Sequence, residues 1–243
     1  MASPPNTQRQ QLVQALFNRI AHRYDLLNRV LSLHLDTRWR KKAVRALALG
    51  SNDRLVLDLG TGTGDLALTA ARELKGQIRI FGLDFSLEML RLARAKKKKT
   101  SYGDKTDYIL GTALNPPFKE QAFDAVMTAF VLRNIPDLAL FFVQAYRLLR
   151  PGGKLVSLDM FPPAPSLFSL FYSLYFYRLV PWIGASLGRD RSAYQYLSNS
   201  VRIFDPPEAI SQLMHQAGFE GIKIERFLRG AVCLHIAQKS PSL

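Results

Sequence analysis

The chain has 243 residues, 48% of them hydrophobic and 21% charged, a composition that excludes wholesale disorder and suffices for one domain with a full core. Cys233 is its only cysteine, so a disulfide framework and a cysteine zinc site are both excluded, and no metal site is expected. A net charge of +14 points to a polyanionic partner, nucleic acid or an anionic membrane surface, with plain solubility as the alternative.

Residues 1–9 are polar and proline-rich and read as a flexible arm ahead of a single domain over 10–243. The N-terminus lacks the basic region and apolar core of a secretory signal, and the single cysteine suits a reducing cytoplasm. Leu12, Val13, Leu16, Phe17 and Ile20 recur at helical spacing and open a helical cap over 10–50. Tyr24-Asp25-Leu26-Leu27-Asn28, Leu31-Ser32 and Trp39-Arg40-Lys41-Lys42 crowd aromatic and basic residues together. That pattern fits a lid over a pocket or helices packed on a sheet.

Leu55, Val56, Leu57 and Leu59 form the short apolar run of a strand buried on both faces. Gly60, Gly62 and Gly64 follow, then a helical pattern over 66–74, which together make the first half of a nucleotide-binding unit. A Cβ at such a turn blocks both the bend and the approach of a ligand to the backbone. Dinucleotide sites read G-x-G-x-x-G; this chain reads G-x-G-x-G between Asp58 and Asp65. Two carboxylates repel a pyrophosphate and tolerate a ligand that carries an amine and a sulfonium. A second strand over 78–83 ends in Asp84, about 20 residues on, where a ribose-binding carboxylate is expected. S-adenosylmethionine is therefore the preferred ligand, ahead of a dinucleotide or a purely structural turn.

Six basic residues crowd 91–99, including Lys96 to Lys99, and read as a solvated helix end or a phosphate site. Strands are expected over 108–110, 123–130 and 155–158, with a helix over 137–149 stopped by Arg150-Pro151-Gly152-Gly153. The alternation means a parallel sheet with helices on both faces. Residues 161–177 carry no charge and are rich in Phe, Tyr and Leu; with the stretch to 200 they read as an apolar insertion or lid. The run is short and proline-punctuated for a span, which leaves a membrane-surface helix, a wall for an apolar ligand, or core packing. A helix over 207–217 and a β-hairpin from 222–227 and 231–238 close the chain. Asn115-Pro116-Pro117-Phe118 matches the box of amino-group methyltransferases, but it precedes the fourth strand instead of ending it.

From about residue 16 to 239 the chain resembles the S-adenosylmethionine-dependent C-methyltransferases of menaquinone and ubiquinone biosynthesis. Tyr24-Asp25-Leu-Leu-Asn28, Leu31-Ser32 and Trp39 look like that family's N-terminal signature, and Leu132-Arg133-Asn134 like its Leu-Arg-Asn motif. Arg147-Leu-Leu-Arg-Pro-Gly-Gly153, Ser192-Ala-Tyr194-Gln-Tyr196-Leu197 and Leu234-His235 also have counterparts. Asp36 stands where the family commonly has His, Leu27 where it has Met, Val131 where it has Gly, and Asp159 where it has Glu. Thr112 replaces an Asp or Asn common at that position.

The resemblance implies a Rossmann-like class I methyltransferase sheet, mostly parallel with the antiparallel hairpin at its end. It implies a cofactor site from Asp58, Gly60, Thr61, Gly62, Thr63, Gly64, Asp84 and Phe85, with Thr112 and Ala113 beside the adenine and Ala129 near the methionine end. Arg133 is the expected holder of a developing phenolate, and Asn134, Tyr24, Asp25, Tyr194 and Tyr196 are expected around the ring. The implied substrate is a polyprenyl quinol, demethylmenaquinol before the ubiquinone precursor, met at the inner face of an anionic membrane. A nucleic-acid methyltransferase and a non-catalytic membrane-associated binding protein are the rival classes.

Overall fold

Leu55, Val56, Leu57, Asp58 and Leu59 make a strand whose side chains alternate between two hydrophobic layers, and that alternation organises the molecule. A computed structural model of the chain describes residues 6–52, 54–74, 78–163 and 191–241. Its strands are β1 (Leu55–Leu59), β2 (Arg79–Asp84), β3 (Thr106–Leu110), β4 (Phe123–Ala129), β5 (Leu149–Met160), β6 (Phe219–Phe227) and β7 (Val232–Lys239). They form one sheet in the order β3-β2-β1-β4-β5-β7-β6. Neighbours from β3 to β5 pair in parallel, while β7 pairs antiparallel with both β5 and β6.

The described helices are α1 (Asn6–Leu31), α2 (Leu35–Ala46), α3 (Asp65–Glu73), α4 (Leu87–Lys97), α5 (Leu138–Leu148), α6 (Arg191–Arg202) and α7 (Pro207–Gln216). On one face Val56, Ile80, Ala125 and Met127 pack with Trp39, Ala43 and Val44 of α2, Ala67 and Ala70 of α3, and Leu90 of α4. On the other, Leu57, Leu59, Val126 and Leu155 pack with Phe141, Phe142 and Leu148 of α5 and with Ile210 and Met214 of α7. Helices on both faces leave no room for a polar sheet surface, which is why β1 and β4 are near-continuously apolar. Local chemistry starts the helices: Ser86 Oγ accepts from Met89 N at 3.2 Å, and Asp137 Oδ1 accepts from Leu140 N at 2.9 Å.

Three expectations need correction. The helix α1 begins at Asn6, so residues 6–9 are helical and not part of an arm. Strand β5 starts at Leu149, well before 155, because Leu149 pairs with Phe123 ahead of the irregularity in that register. The first hairpin strand starts earlier, at Phe219, and the second is shifted by one residue to Val232–Lys239, while the turn Leu228–Gly230 falls where Arg229 and Gly230 place it, with all three residues at positive φ. The apolar segment from 164 to 190 lies outside the described residues. Among the described residues no helix is long and apolar enough to cross a membrane.

Strand order reverses between β1 and β4: the chain runs outward through β2 and β3, then returns to the other side of β1. The crevice at the carboxyl ends of strands on either side of such a switch point is where open α/β sheets bind ligands.

Candidate active site

The loop after β1 is pinned to the end of β2. Gly60 N and Thr61 N both donate to Leu83 O, at 2.8 and 2.9 Å. Gly62 N donates to Asp84 Oδ2 at 2.8 Å, and Ser86 N donates to the other oxygen, Oδ1, at 2.9 Å. A Cβ on Gly64 would meet the Tyr108 hydroxyl, and one on Gly60 would come within 2.6 Å of Val131 Cγ2. Gly62 differs: at φ +55 it faces nothing within 4 Å, so the loop bends around an open cradle.

Two carboxylates border this loop in low-dielectric surroundings. Burial pushes Asp58 up to about 7, against the Thr61 hydroxyl that donates to its Oδ2 at 2.7 Å and the nearby Arg40 charge. Burial pushes Asp84 up to about 6, against the backbone N–H groups of Ser86 and Gly62. Asp65 goes the other way: although burial raises it, Arg40 and Lys96 hold it below the ordinary carboxylate range.

Above the loop lies an open cleft of about 620 Å³, counting solvent at its mouth. Gly60, Thr61, Gly62, Thr63, Asp84, Phe85, Ala129, Asn134 and Tyr24 line it, so most of the residues expected there come together. A second, smaller hollow continues from it past Asp84 and Phe85, walled by Thr112, Ala113 and Leu114. Asp58 and Gly64 line neither the cleft nor the hollow. The first helix roofs the cleft: Gln14 Nε2 donates to Phe85 O at 2.6 Å, Ser86 Oγ donates to Asn18 Oδ1 at 2.6 Å, and Phe17 packs edge-on against Tyr24 at 5.7 Å.

Arg133 is not brought to the cleft. Its side chain is 3% exposed and its Nη1 pairs with Asp159 Oδ1 at 2.5 Å, while Asp159 also accepts from Leu132 N and Met160 N at 2.8 Å. The pair thus fixes the turn Leu132–Asn134 and leaves Asn134 facing the cleft. Asp25 is engaged as well: Thr63 Oγ1 donates to its Oδ1 at 2.5 Å, and Lys96 Nζ pairs with it. Tyr196 Oη donates to Asn134 Oδ1 at 3.2 Å, joining α6 to the cleft wall. The side chain of Tyr194 lies outside the described residues. His235 is wholly buried with Nε2 2.9 Å from Pro207 O, away from the cleft wall.

Lys96 departs from the reading of the lysine run as a solvated helix end. Its Nζ donates to Thr63 Oγ1 at 2.9 Å and pairs with Asp65 at 2.6 Å, so it lies against the loop. Lys98 and Lys99 are the exposed members of that run. Arg40 stands in the aromatic and basic cluster of the N-terminal segment with no site role expected of it, yet it lines the cleft, 8% exposed, with its guanidinium 5.0 Å from the Phe130 ring centroid. Its signal was positional: Asp36, Trp39, Arg40, Ala43 and Val44 share the buried face of α2. Phe130 itself holds a left-handed backbone at φ +64, a strain that bulky residues keep only where the surroundings enforce it.

The sequence profile of the ubiE/COQ5 methyltransferase family matches residues 5–239. A demethylmenaquinone methyltransferase of Thermus thermophilus is 41% identical over 92% of this chain and 100% of its own. A ubiquinone/menaquinone biosynthesis C-methyltransferase of a Geobacter species is 37% identical over 93% of this chain and 96% of its own. In three dimensions the chain resembles a SAM-dependent methyltransferase of Thermotoga maritima with a TM-score of 0.65 and 21% identity, over 93% of this chain and 99% of that one. That likeness shows the fold.

The buried Arg133–Asp159 pair makes a direct prediction. Arg133→Ala leaves Asp159 buried without its cation, so chemical denaturation is expected to show a loss of about 3–5 kcal/mol. A loss within about 1 kcal/mol would mean that the pair does not hold the turn.

Proposed function

The chain belongs to the ubiE/COQ5 methyltransferase family, and we propose that it moves a methyl group from S-adenosylmethionine to a ring carbon of a prenylated quinol, demethylmenaquinol before the ubiquinone precursor. The names of its relatives support the quinol. One observation carries the donor: an open glycine cradle and a buried carboxylate share a single roofed cleft at the switch point. When bound, the donor supplies an electrophilic methyl on a sulfonium.

In this reading Asp84 accepts from the ribose hydroxyls, and the hollow beside Thr112 and Ala113 takes the adenine. The open side of Gly62 lets the ligand lie against backbone. Tyr24, Phe17 and Asn134 hold the quinol ring in line with the methyl, and that alignment provides most of the rate. Tyr196 orients the Asn134 amide from α6. A ring carbon would take that methyl in exchange for its proton, released to solvent, with S-adenosylhomocysteine as the leaving group. Arg133 serves by position: through Asp159 it sets the turn that presents Asn134.

The charge of +14 supports work against an anionic membrane, where each Lys or Arg near the surface adds about 1 kcal/mol. A polyprenyl tail makes such a surface the natural source of substrate. The Asn115–Phe118 box does not favour nucleic acid. It lies before β4, where Arg147 donates to Phe118 O at 3.2 Å and Phe118 packs against Phe123 at 5.0 Å. Its residues serve packing.

Purified protein given labelled S-adenosylmethionine is expected to methylate reduced demethylmenaquinol, with RNA and the ubiquinone precursor offered in parallel. Label in RNA alone would refute the reading. A pH series gives a second check. Because burial raises Asp84 to about 6, its carboxylate is ionised above that pH and protonated below it. Affinity for S-adenosylhomocysteine, measured by calorimetry, should therefore fall about tenfold per pH unit below about pH 6 and level off above it. A flat profile through that range would remove Asp84 from the ribose site.

A further inference from the structure

Cations near the cleft are almost all engaged. Arg133 is sealed against Asp159, and Lys96 is shared between Asp25, Asp65 and Thr63. Arg29 reaches toward Asp65 at 3.9 Å from an exposed position. Among the described residues that line the cleft, Arg40 is the one cationic side chain.

Arg40 differs from Arg133, which is bonded to Asp159 through Nη1 although its Nε too is without a partner. The nearest carboxylate oxygen, Asp36 Oδ2, is 3.7 Å from Arg40 Nε, beyond hydrogen-bond distance. Both atoms are buried and neither has a hydrogen-bond partner. The other Asp36 oxygen is occupied, accepting from Ser32 Oγ at 2.9 Å. A guanidinium that lines a cleft, lies over an aromatic ring and makes no hydrogen bond to its one carboxylate neighbour is poised for an anion supplied from outside the chain.

The layout of the cleft says which anion. Asp84 and the hollow beside Thr112 take the adenosine end in the reading above. The amino-acid end must then lie toward Thr63, Asp65 and Arg40 at the other end of the glycine loop. Arg40 acts electrostatically on Asp58 and Asp65, the two acids that flank that loop. We infer that Arg40 holds the α-carboxylate of the adenosyl donor, with Asp36 keeping the guanidinium in place. This rests on the donor assignment above.

The test crosses a protein change with a ligand change. Binding of S-adenosylhomocysteine and of its decarboxylated analogue is measured by calorimetry to the wild-type chain and to Arg40→Met. A charge-assisted hydrogen bond contributes about 1.5–3 kcal/mol, so removing the carboxylate should weaken wild-type binding about 10- to 100-fold. In Arg40→Met, S-adenosylhomocysteine should weaken by a similar factor while the analogue binds as it does to the wild type. Equal wild-type affinity for the two ligands overturns the inference and needs no variant, so the test stands even if Arg40→Met fails to fold. A parallel fall for both ligands in Arg40→Met overturns it too, making Arg40 a support of the cleft. Unchanged affinities with a lowered kcat for the quinol would instead assign Arg40 to the ring oxygen. If the wild type binds neither ligand, the donor assignment itself is wrong.

Discussion

The carboxylate of Asp84 is where the ends of β1 and β2 are tied to each other and to the start of α4. One oxygen takes Gly62 N and the other takes Ser86 N, so a single side chain shapes the glycine loop and positions the Ser86 cap of α4. Holding an ionised group there costs free energy, since burial pushes it up to about 6. The neighbouring Asp58, pushed up to about 7, adds to that cost. Strain of this kind clusters at functional sites, where a cationic ligand can offset it. A sulfonium with an ammonium is such a ligand.

The roof depends on the same loop. Thr63 donates to Asp25 of α1 and accepts from Lys96 of α4, and Lys96 pairs with both Asp25 and Asp65. Three elements distant in sequence therefore meet at one hydroxyl. Asp25 looked like a ring-binding group by its place in a signature, whereas its partners make it the fastening between the roof and the glycine loop. The backbone and side-chain bonds from Gln14 and Asn18 to 85–86 extend that fastening along α1.

The sheet was legible because both of its faces are buried. Such strands read as unbroken apolar runs, and the glycines and Asp84 mark their carboxyl ends. The reversed hairpin showed in its alternation. Side-chain partners were harder to read. Lys96 stands in a run of four lysines, and nothing local distinguishes the one that turns toward Asp25, 71 positions earlier. Arg133 carries a motif, but it sits in a turn and its partner Asp159 on β5, so only tertiary structure reveals that the two neutralise each other. Arg40 had no motif at all. Its helical phase with Trp39 and Val44 was the available sign that a guanidinium is buried there.

The claim on which the rest depends is that this roofed cleft receives the methyl donor. A crystal structure of the chain with S-adenosylhomocysteine tests it most directly. Adenine is expected beside Thr112 and Ala113, ribose on Asp84, the backbone of Gly62 against the ligand, and α1 across the top. Ligand bound elsewhere, or bound with Asp84 untouched, would contradict it.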